Sequence, residues 1–187
     1  MPSAVGTSLG AVSIKMASAT TRASSSFTTQ QVLREIGKKE GVLDTAALEK
    51  LGLGASFSQF DISAVTPVEL GLISKNLYAL GLIDKITANL MVAAGTHLDA
   101  LGNQTRPNEK MNALDYFAAR ISSLRTATSG LDEYGFHVVP DYIKTVHALQ
   151  NLDDFARIQN ARQRATSSLQ QQGQAASAQQ GNLHIKV

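Results

Sequence analysis

The sequence predicts an all-α fold: a single bundle of about five helices with disordered tails at both ends. Apolar side chains recur every three to four residues in most segments between residues 28 and 165, which is the period of an amphipathic helix. No run inside that range alternates apolar and polar residues for long enough to predict a strand. The chain is 43% hydrophobic but only 5% aromatic and has no Trp, so we expect an aliphatic core, which favours helices.

Composition divides the 187 residues into three segments. Residues 1–27 form a leader rich in Ser, Thr and Ala, residues 28–165 form the helical domain, and residues 166–187 form a Gln-rich tail. The first 34 residues contain no acidic side chain. Neither end carries enough apolar side chains to offset the entropy that is lost when a chain is ordered. We therefore expect one folded domain between two disordered segments.

Two helices are expected in the first part of the domain. Thr28 is placed to cap a helix that ends near Gly41, and Asp44 is placed to start a short helix that stops at Gly52. Residues 55–65 fit no clean period. They predict an irregular, partly extended connection with its aromatic side chains tucked into the core.

The clearest local signal is Thr66-Pro67-Val68-Glu69. It combines a capping hydroxyl, a proline at the first helical position and a glutamate at the third, immediately before an apolar stripe. This pattern predicts a helix over 67–80 that is terminated by Gly81. A second helix is expected from Asp84 to Gly95, which makes an antiparallel pair.

The last part of the domain is expected to hold two further helices. Asn108 is placed to cap the first, whose apolar stripe runs as far as Leu124. A loop around Gly135 and a short extended stretch before Pro140 follow, and Asp141 opens a long final helix. The side chains expected in the core are Leu70, Ile73, Leu77, Leu90, Leu114, Phe117, Ile121, Val146, Leu149 and Phe155.

Composition also excludes several classes of function. The formal net charge of +2 is too small to predict a nucleic-acid partner through phosphate neutralisation. The chain has no Cys, so disulfides, thiolate catalysis and Cys-based metal sites are excluded. No apolar run reaches the roughly 18 residues that a membrane-spanning helix needs, and the N-terminal residues do not read as a secretory signal peptide.

Motifs for catalysis, a cofactor or a metal are not found in the sequence. The four His residues lie far apart, and none forms the His-x-x-x-His pattern that places two imidazoles on one helical face. An alternative is a secreted effector or enzyme with a nonstandard site, in which His137 joins Asp132 and Glu133 as an acid–base group. The simpler interpretation of His137 is a loop imidazole that makes one backbone hydrogen bond. We therefore predict no catalytic residue, no cofactor and no metal ligand.

A second alternative is weak nucleic-acid binding through a basic end of the last helix. Arg157, Arg162 and Arg164 lie close together there. The preferred interpretation is a solvated face that complements the negative end of the helix dipole.

The C-terminal residues 183–187 alternate apolar and polar side chains after a glutamine-rich spacer. Alternation favours a strand, so Leu183, Ile185 and Val187 are candidates for pairing with the edge of a partner's sheet. A frayed end without a function is the simpler interpretation.

The acid-free leader resembles the export signals of bacterial type III secretion and flagellar substrates, which are defined by composition more than by motif. The segment from Thr66 to Ile83 is similar to a helix-turn signature in small proteobacterial proteins, some of which are associated with flagella. These resemblances imply a noncatalytic interaction module of the type III or flagellar export system. Its partner would be an export chaperone or apparatus component, and it would lie in the bacterial cytoplasm with secretion by a type III route as a further step. The oligomeric state is left open.

Overall fold

The computed structural model describes residues 26–96, 105–128 and 133–181, with side chains described for 26–96, 105–126 and 137–170. The fold is all-α, as predicted, with seven helices in the described ranges instead of about five. They are α1 (Phe27–Ile36), α2 (Thr45–Lys50), α3 (Gly54–Phe57), α4 (Pro67–Ala79), α5 (Lys85–Ala93), α6 (Ala113–Thr128) and α7 (Glu133–Gly181).

Helix α7 is the central element of the bundle. It packs against α6, α3, α5 and α2, while α1 packs on α6 and α4 pairs with α5 as a hairpin. One hydrophobic core joins these elements, and Phe117, Leu149 and Leu152 are fully buried in it. Eight of the ten predicted core side chains are buried, and Leu90 and Leu114 are half-buried.

The hairpin of α4 and α5 forms as the sequence predicts. The Thr66 hydroxyl accepts a hydrogen bond from the Glu69 backbone N–H at 3.2 Å, and the Thr66 N–H donates to the Glu69 carboxylate at 2.9 Å. This reciprocal capping box satisfies two backbone donors at the start of α4. Gly81 follows α4 with a φ of 71°, a left-handed conformation that glycine adopts without strain. Asp84 then caps α5, as predicted.

The first helix begins and ends earlier than predicted. Ser26, and not Thr28, caps α1, because the Ser26 hydroxyl accepts from the Thr29 N–H at 3.2 Å. Helix α1 ends at Ile36, is capped by Gly37 with a φ of 68°, and does not extend to the vicinity of Gly41.

The start of α6 also differs from the prediction. Asn112, and not Asn108, caps the helix, since its side-chain oxygen accepts from the N–H groups of Leu114 and Asp115 at 3.0 and 3.2 Å. Met111 is held in an antiparallel bridge with Val65, so the chain is extended there and helical geometry starts only afterwards. This pairing between distant residues has no signal in the local sequence.

Residues 54–65 combine the short helix α3 with an irregular connection. Helix α3 was not predicted, because four residues are too few to show a helical period. The predicted burial of the aromatic side chains is confirmed: Phe57 and Phe60 are 4% and 3% exposed.

Helix α7 is longer at both ends than predicted. The expected loop around Gly135 and the extended stretch before Pro140 are instead helical, and α7 starts at Glu133 and not at Asp141. Pro140 lies inside the helix, although a proline removes one backbone hydrogen bond and usually ends a helix. At the other end α7 continues to Gly181, past residue 165, where the helical domain was expected to end. Within the described ranges, none of the helices is both long enough and apolar enough to cross a membrane.

Candidate functional site

The residues of the alternative enzyme site near 132–137 are described only in part. Asp132 and the side chain of Glu133 lie outside the described residues. His137 lies on α7, not in a loop, and is exposed. The buried histidine is His147, which is 7% exposed in the middle of α7. Its Nε2 atom has no hydrogen-bond partner among the described residues.

The three arginines of the predicted basic end differ in their surroundings. The Arg157 Nε atom lies 2.9 Å from the Asp153 carboxylate, one helical turn away, and Arg162 forms an ion pair with Glu49 of α2. Arg164 is exposed on α7. Because two of the three charges are already paired with carboxylates, less positive charge is left for a phosphate backbone. The other candidate contact residues, Leu183, Ile185 and Val187, lie outside the described residues.

The described residues were also compared with the requirements of a metal site, which needs several ligating side chains close together. No three His, Asp or Glu side chains there converge in a way that could hold a metal ion. The polar side chains of the bundle mainly cap helices and form ion pairs between them. Two grooves and one exposed apolar region lie beside these contacts.

A groove of about 390 Å³ runs between α2 and α7. We call it the α2–α7 groove. Two ion pairs, Arg162 with Glu49 and Lys38 with Asp154, lie at its edges. Its apolar lining comes from Leu43, Ala46, Phe155 and Ile158.

Asn151 fixes the wall of this groove. Its side-chain oxygen accepts hydrogen bonds from the N–H groups of Val42 and Leu43 at 3.1 and 3.2 Å, and its amide donates to the Lys39 carbonyl at 3.0 Å. The side chain is buried, at 5% exposure. One α7 residue therefore satisfies three backbone groups of the loop between α1 and α2, so the groove is built on a fixed backbone.

A second, smaller groove of about 240 Å³ lies where α5 begins beside α7. The Asp84 carboxylate accepts from the Thr87 N–H at 2.7 Å and pairs with Lys144 of α7. Partial burial raises the pKa of Asp84, but the hydrogen bonds from Lys144 and Thr87 outweigh it, so the pKa lies below its ordinary value. The carboxylate is thus engaged in capping α5 and tying it to α7.

The α4–α5 hairpin has the largest group of exposed apolar side chains. Its inner side is joined by a hydrogen bond from the Ser74 hydroxyl to the Ala88 carbonyl at 2.8 Å, and its buried residues face the core. Six large apolar side chains remain on the outside, between 39% and 53% exposed. We call these residues the hairpin surface: Val68, Leu72, Tyr78, Leu80, Ile86 and Val92.

The sequence analysis missed the hairpin surface, although it carries a signal. Helix α4 buries Leu70, Ile73 and Leu77, and Val68 and Leu72 lie one turn apart on a different face. A helix that is apolar on more than the core-facing stripe is a sign of a further contact.

Together these features define an all-α protein with two surface grooves and a group of exposed apolar side chains on the α4–α5 hairpin. Compared with protein families, curated proteins and solved structures, the chain matches none.

Proposed function

We propose that the chain is a noncatalytic helical protein–protein interaction module of a bacterial type III or flagellar export system. The single observation that carries the proposal is the hairpin surface. Of the ten large apolar side chains that are exposed in the described part of the chain, six lie on this one hairpin. Scattered exposed apolar residues are ordinary, whereas a concentration of them marks a contact site.

The proposed partner of the hairpin surface is an export chaperone or a component of the export apparatus. The acid-free leader supplies the second part of the proposal, because its composition resembles an export signal. In this proposal the protein acts in the bacterial cytoplasm and the leader directs it into the type III route. The leader and the hairpin surface then have separate roles, delivery and docking, which separate variants can test.

The leader is tested by deletion. Because Ser26 caps α1, residues 1–25 are removed and Ser26 is kept. The full chain, the deletion and a variant with another acid-free Ser/Thr/Ala leader are expressed in a bacterium with intact flagellar export and in one lacking the export ATPase. We expect the full chain and the replacement variant in the culture medium of the intact strain alone, and the deletion in neither. Undiminished export of the deletion would overturn the address role.

The hairpin surface is tested by a photo-crosslinking amino acid at Leu72, with the same amino acid at exposed Ser123 of α6 as the matched control. Crosslinked products are identified by mass spectrometry in the intact strain. We expect a chaperone or apparatus component at position 72 and not at position 123. If both positions give the same products, or neither gives an export component, the docking role is wrong.

A further inference from the structure

Two lysines lie beside the apolar side chains of the hairpin surface. Lys75 of α4 and Lys85 of α5 are both exposed. The hydrogen bond from Ser74 to the Ala88 carbonyl sets the register of the two helices, so the lysines lie within about one helical turn of each other along the hairpin. Neither lysine forms an ion pair with another described residue. Their charges are therefore available to a partner.

The carboxylates of the hairpin do not offset this charge locally, because both of them cap helices. The Glu69 carboxylate accepts from the Thr66 N–H at 2.9 Å at the start of α4. Asp84 caps α5 and pairs with Lys144. Each carboxylate thus lies at the positive end of a helix dipole. No other acidic residue occurs between positions 66 and 96, so the hairpin has lysines but no carboxylate to offer a partner.

A third lysine lies near the start of α4. Lys110 is exposed and directly precedes Met111, which pairs with Val65. The neighbouring Glu109 is already paired with Arg106. Positive charge is therefore present near both ends of the hairpin surface, with apolar side chains between.

The apolar centre of the hairpin surface suits a helix. The register of α4 and α5 places Val92 level with residue 70, between Val68 and Leu72, and these three side chains are 39–45% exposed. An amphipathic helix presents an apolar stripe of matching kind to a pair of packed helices. The described residues include no strand whose edge could pair with an extended peptide.

Charge argues against the two ends of the chain itself as occupants of the hairpin surface. Residues 1–25 contain Lys15 and Arg22 and no acidic side chain, and residues 165–187 contain Lys186 and no acidic side chain. A second copy of the hairpin surface would bring lysines close to lysines, which is unfavourable. The charges favour a partner that carries carboxylates.

We propose that the hairpin surface binds an amphipathic helix of its partner that is apolar along one side and acidic beside it. The apolar side covers Val68, Leu72 and Val92, and the carboxylates pair with Lys75 and Lys85. An anionic membrane is a weaker match, because three lysines are fewer than the roughly four to eight basic residues of a lipid-binding cluster. The inference rests on the proposed function for the role of the surface and adds the chemistry of the partner.

Two synthetic helical peptides test the charge requirement. Both carry the same leucine stripe, which is flanked by Glu in one peptide and by Lys in the other, and fluorescence anisotropy measures their binding to the full chain. The Glu peptide should bind about tenfold or more tightly than the Lys peptide, and its affinity should fall as salt is added. Equal affinities would overturn the inference. Binding to phosphatidylserine vesicles without binding to the Glu peptide would also overturn it, in favour of a membrane.

Charge reversal tests whether the peptide lies on the hairpin surface. Lys75→Glu/Lys85→Glu should weaken binding of the Glu peptide by about tenfold or more. Lys39→Glu/Lys50→Glu is the matched control, since it makes the same change in net charge at exposed positions away from the hairpin, and it should bind as the parent does. Far-UV circular dichroism should be the same in all three chains. Unchanged affinity in the hairpin variant, or an equal loss in the control, would overturn the inference.

The photo-crosslink at position 72 separates this inference from the proposed function. In the intact strain, the crosslinked export component should be lost in Lys75→Glu/Lys85→Glu and retained in the control variant. If the hairpin variant retains it, the acidic helix is wrong while the docking role stands. If the parent gives no export component at position 72, the docking role is wrong, and the peptide measurements still decide the chemistry of the surface.

Discussion

Helix α7 has two halves with the same backbone geometry and opposite surroundings. Between Thr145 and Ala156 almost every side chain is buried, and from 161 to 170 every side chain is exposed. The first half is surrounded by α2, α3, α5 and α6, so tertiary burial holds it. From 161 to 170 the helix continues with exposed side chains, and Arg162 there pairs with Glu49 of α2. The comparison teaches that one uninterrupted helix can be the central support of a domain along one half and carry solvent-exposed side chains along the next.

The polar side chains of the two halves of α7 also differ in how their hydrogen bonds are satisfied. The Thr145 hydroxyl is fully buried and donates to the Asp141 carbonyl at 2.9 Å, within the helix itself. Asn151 satisfies the backbone of the α1–α2 loop, and Asp153 pairs with Arg157. A buried polar group is tolerated when it finds such partners. In the exposed half, polar residues need no protein partner because water is available.

The largest loss of stability is expected when a side chain in the buried half of α7 is truncated. Leu149 is fully buried, so Leu149→Ala should lower the free energy of unfolding by about 2–5 kcal/mol, through lost transfer energy and the cavity left behind. Leu169→Ala is the matched control, with the same change at a side chain that is 68% exposed, and it should shift stability by less than about 0.5 kcal/mol. Chemical denaturation measures both. Equal losses would show that the two halves are packed alike.

A smaller loss of stability is expected when the α1–α2 loop, which forms the wall of the α2–α7 groove, loses its hydrogen bonds to Asn151. Asn151→Ala leaves two backbone N–H groups and one carbonyl of the α1–α2 loop without their partner, which should cost about 1–3 kcal/mol. Asn160→Ala, the control, removes one hydrogen bond to the Ser58 carbonyl and should cost less. Hydrogen exchange at Val42 and Leu43 should rise in the first variant alone. Unchanged exchange there would mean that the loop is held by other contacts.

Much of the buried half of α7, and the α4–α5 hairpin, could be predicted from the sequence. The apolar stripe through Val146, Leu149 and Phe155 places these residues in the core, and all three are buried. The α4–α5 hairpin was predicted with its caps because the capping box and the two glycines act locally. A helix whose first and last residues are set by neighbouring side chains can therefore be predicted from the local sequence.

The features of the fold that the sequence did not predict depend on contacts between residues that are distant in the chain. The bridge of Val65 with Met111 delays the start of α6, and no local pattern announces it. The helix continues through Pro140, where local propensity argues for a break. The candidate surfaces were missed for a related reason. Whether Leu72 or Leu169 is exposed depends on which other helices cover it, and periodicity alone does not give that packing.

A pH-dependent effect is expected at the edge of the buried half, where Lys144 of α7 pairs with Asp84. The folded-state pKa of Asp84 is below its ordinary value, so its contribution to stability is present above pH of about 4 and is lost as the pH falls through the folded-state pKa. Asp84→Asn keeps a good helix cap but removes the charge.

The variant should therefore be less stable than the parent near neutral pH, and the difference should shrink below pH of about 4. Thermal unfolding at several pH values measures this. Glu109→Gln is the control, because Glu109 belongs to an exposed i, i+3 pair with Arg106 and caps no helix. A difference between Asp84→Asn and the parent that is independent of pH would show that the ion pair contributes nothing.

The smallest effect is expected from removing most of the exposed half. A chain ending at residue 165 loses a helical segment that makes no described contact with the bundle, so its free energy of unfolding should change by less than about 0.5 kcal/mol. Far-UV circular dichroism should nevertheless fall, because residues 166–181 are helical in the full chain. A loss of more than about 1 kcal/mol would mean that the segment packs back on its own bundle, and an unchanged dichroism signal would mean that residues 166–181 are not helical in solution.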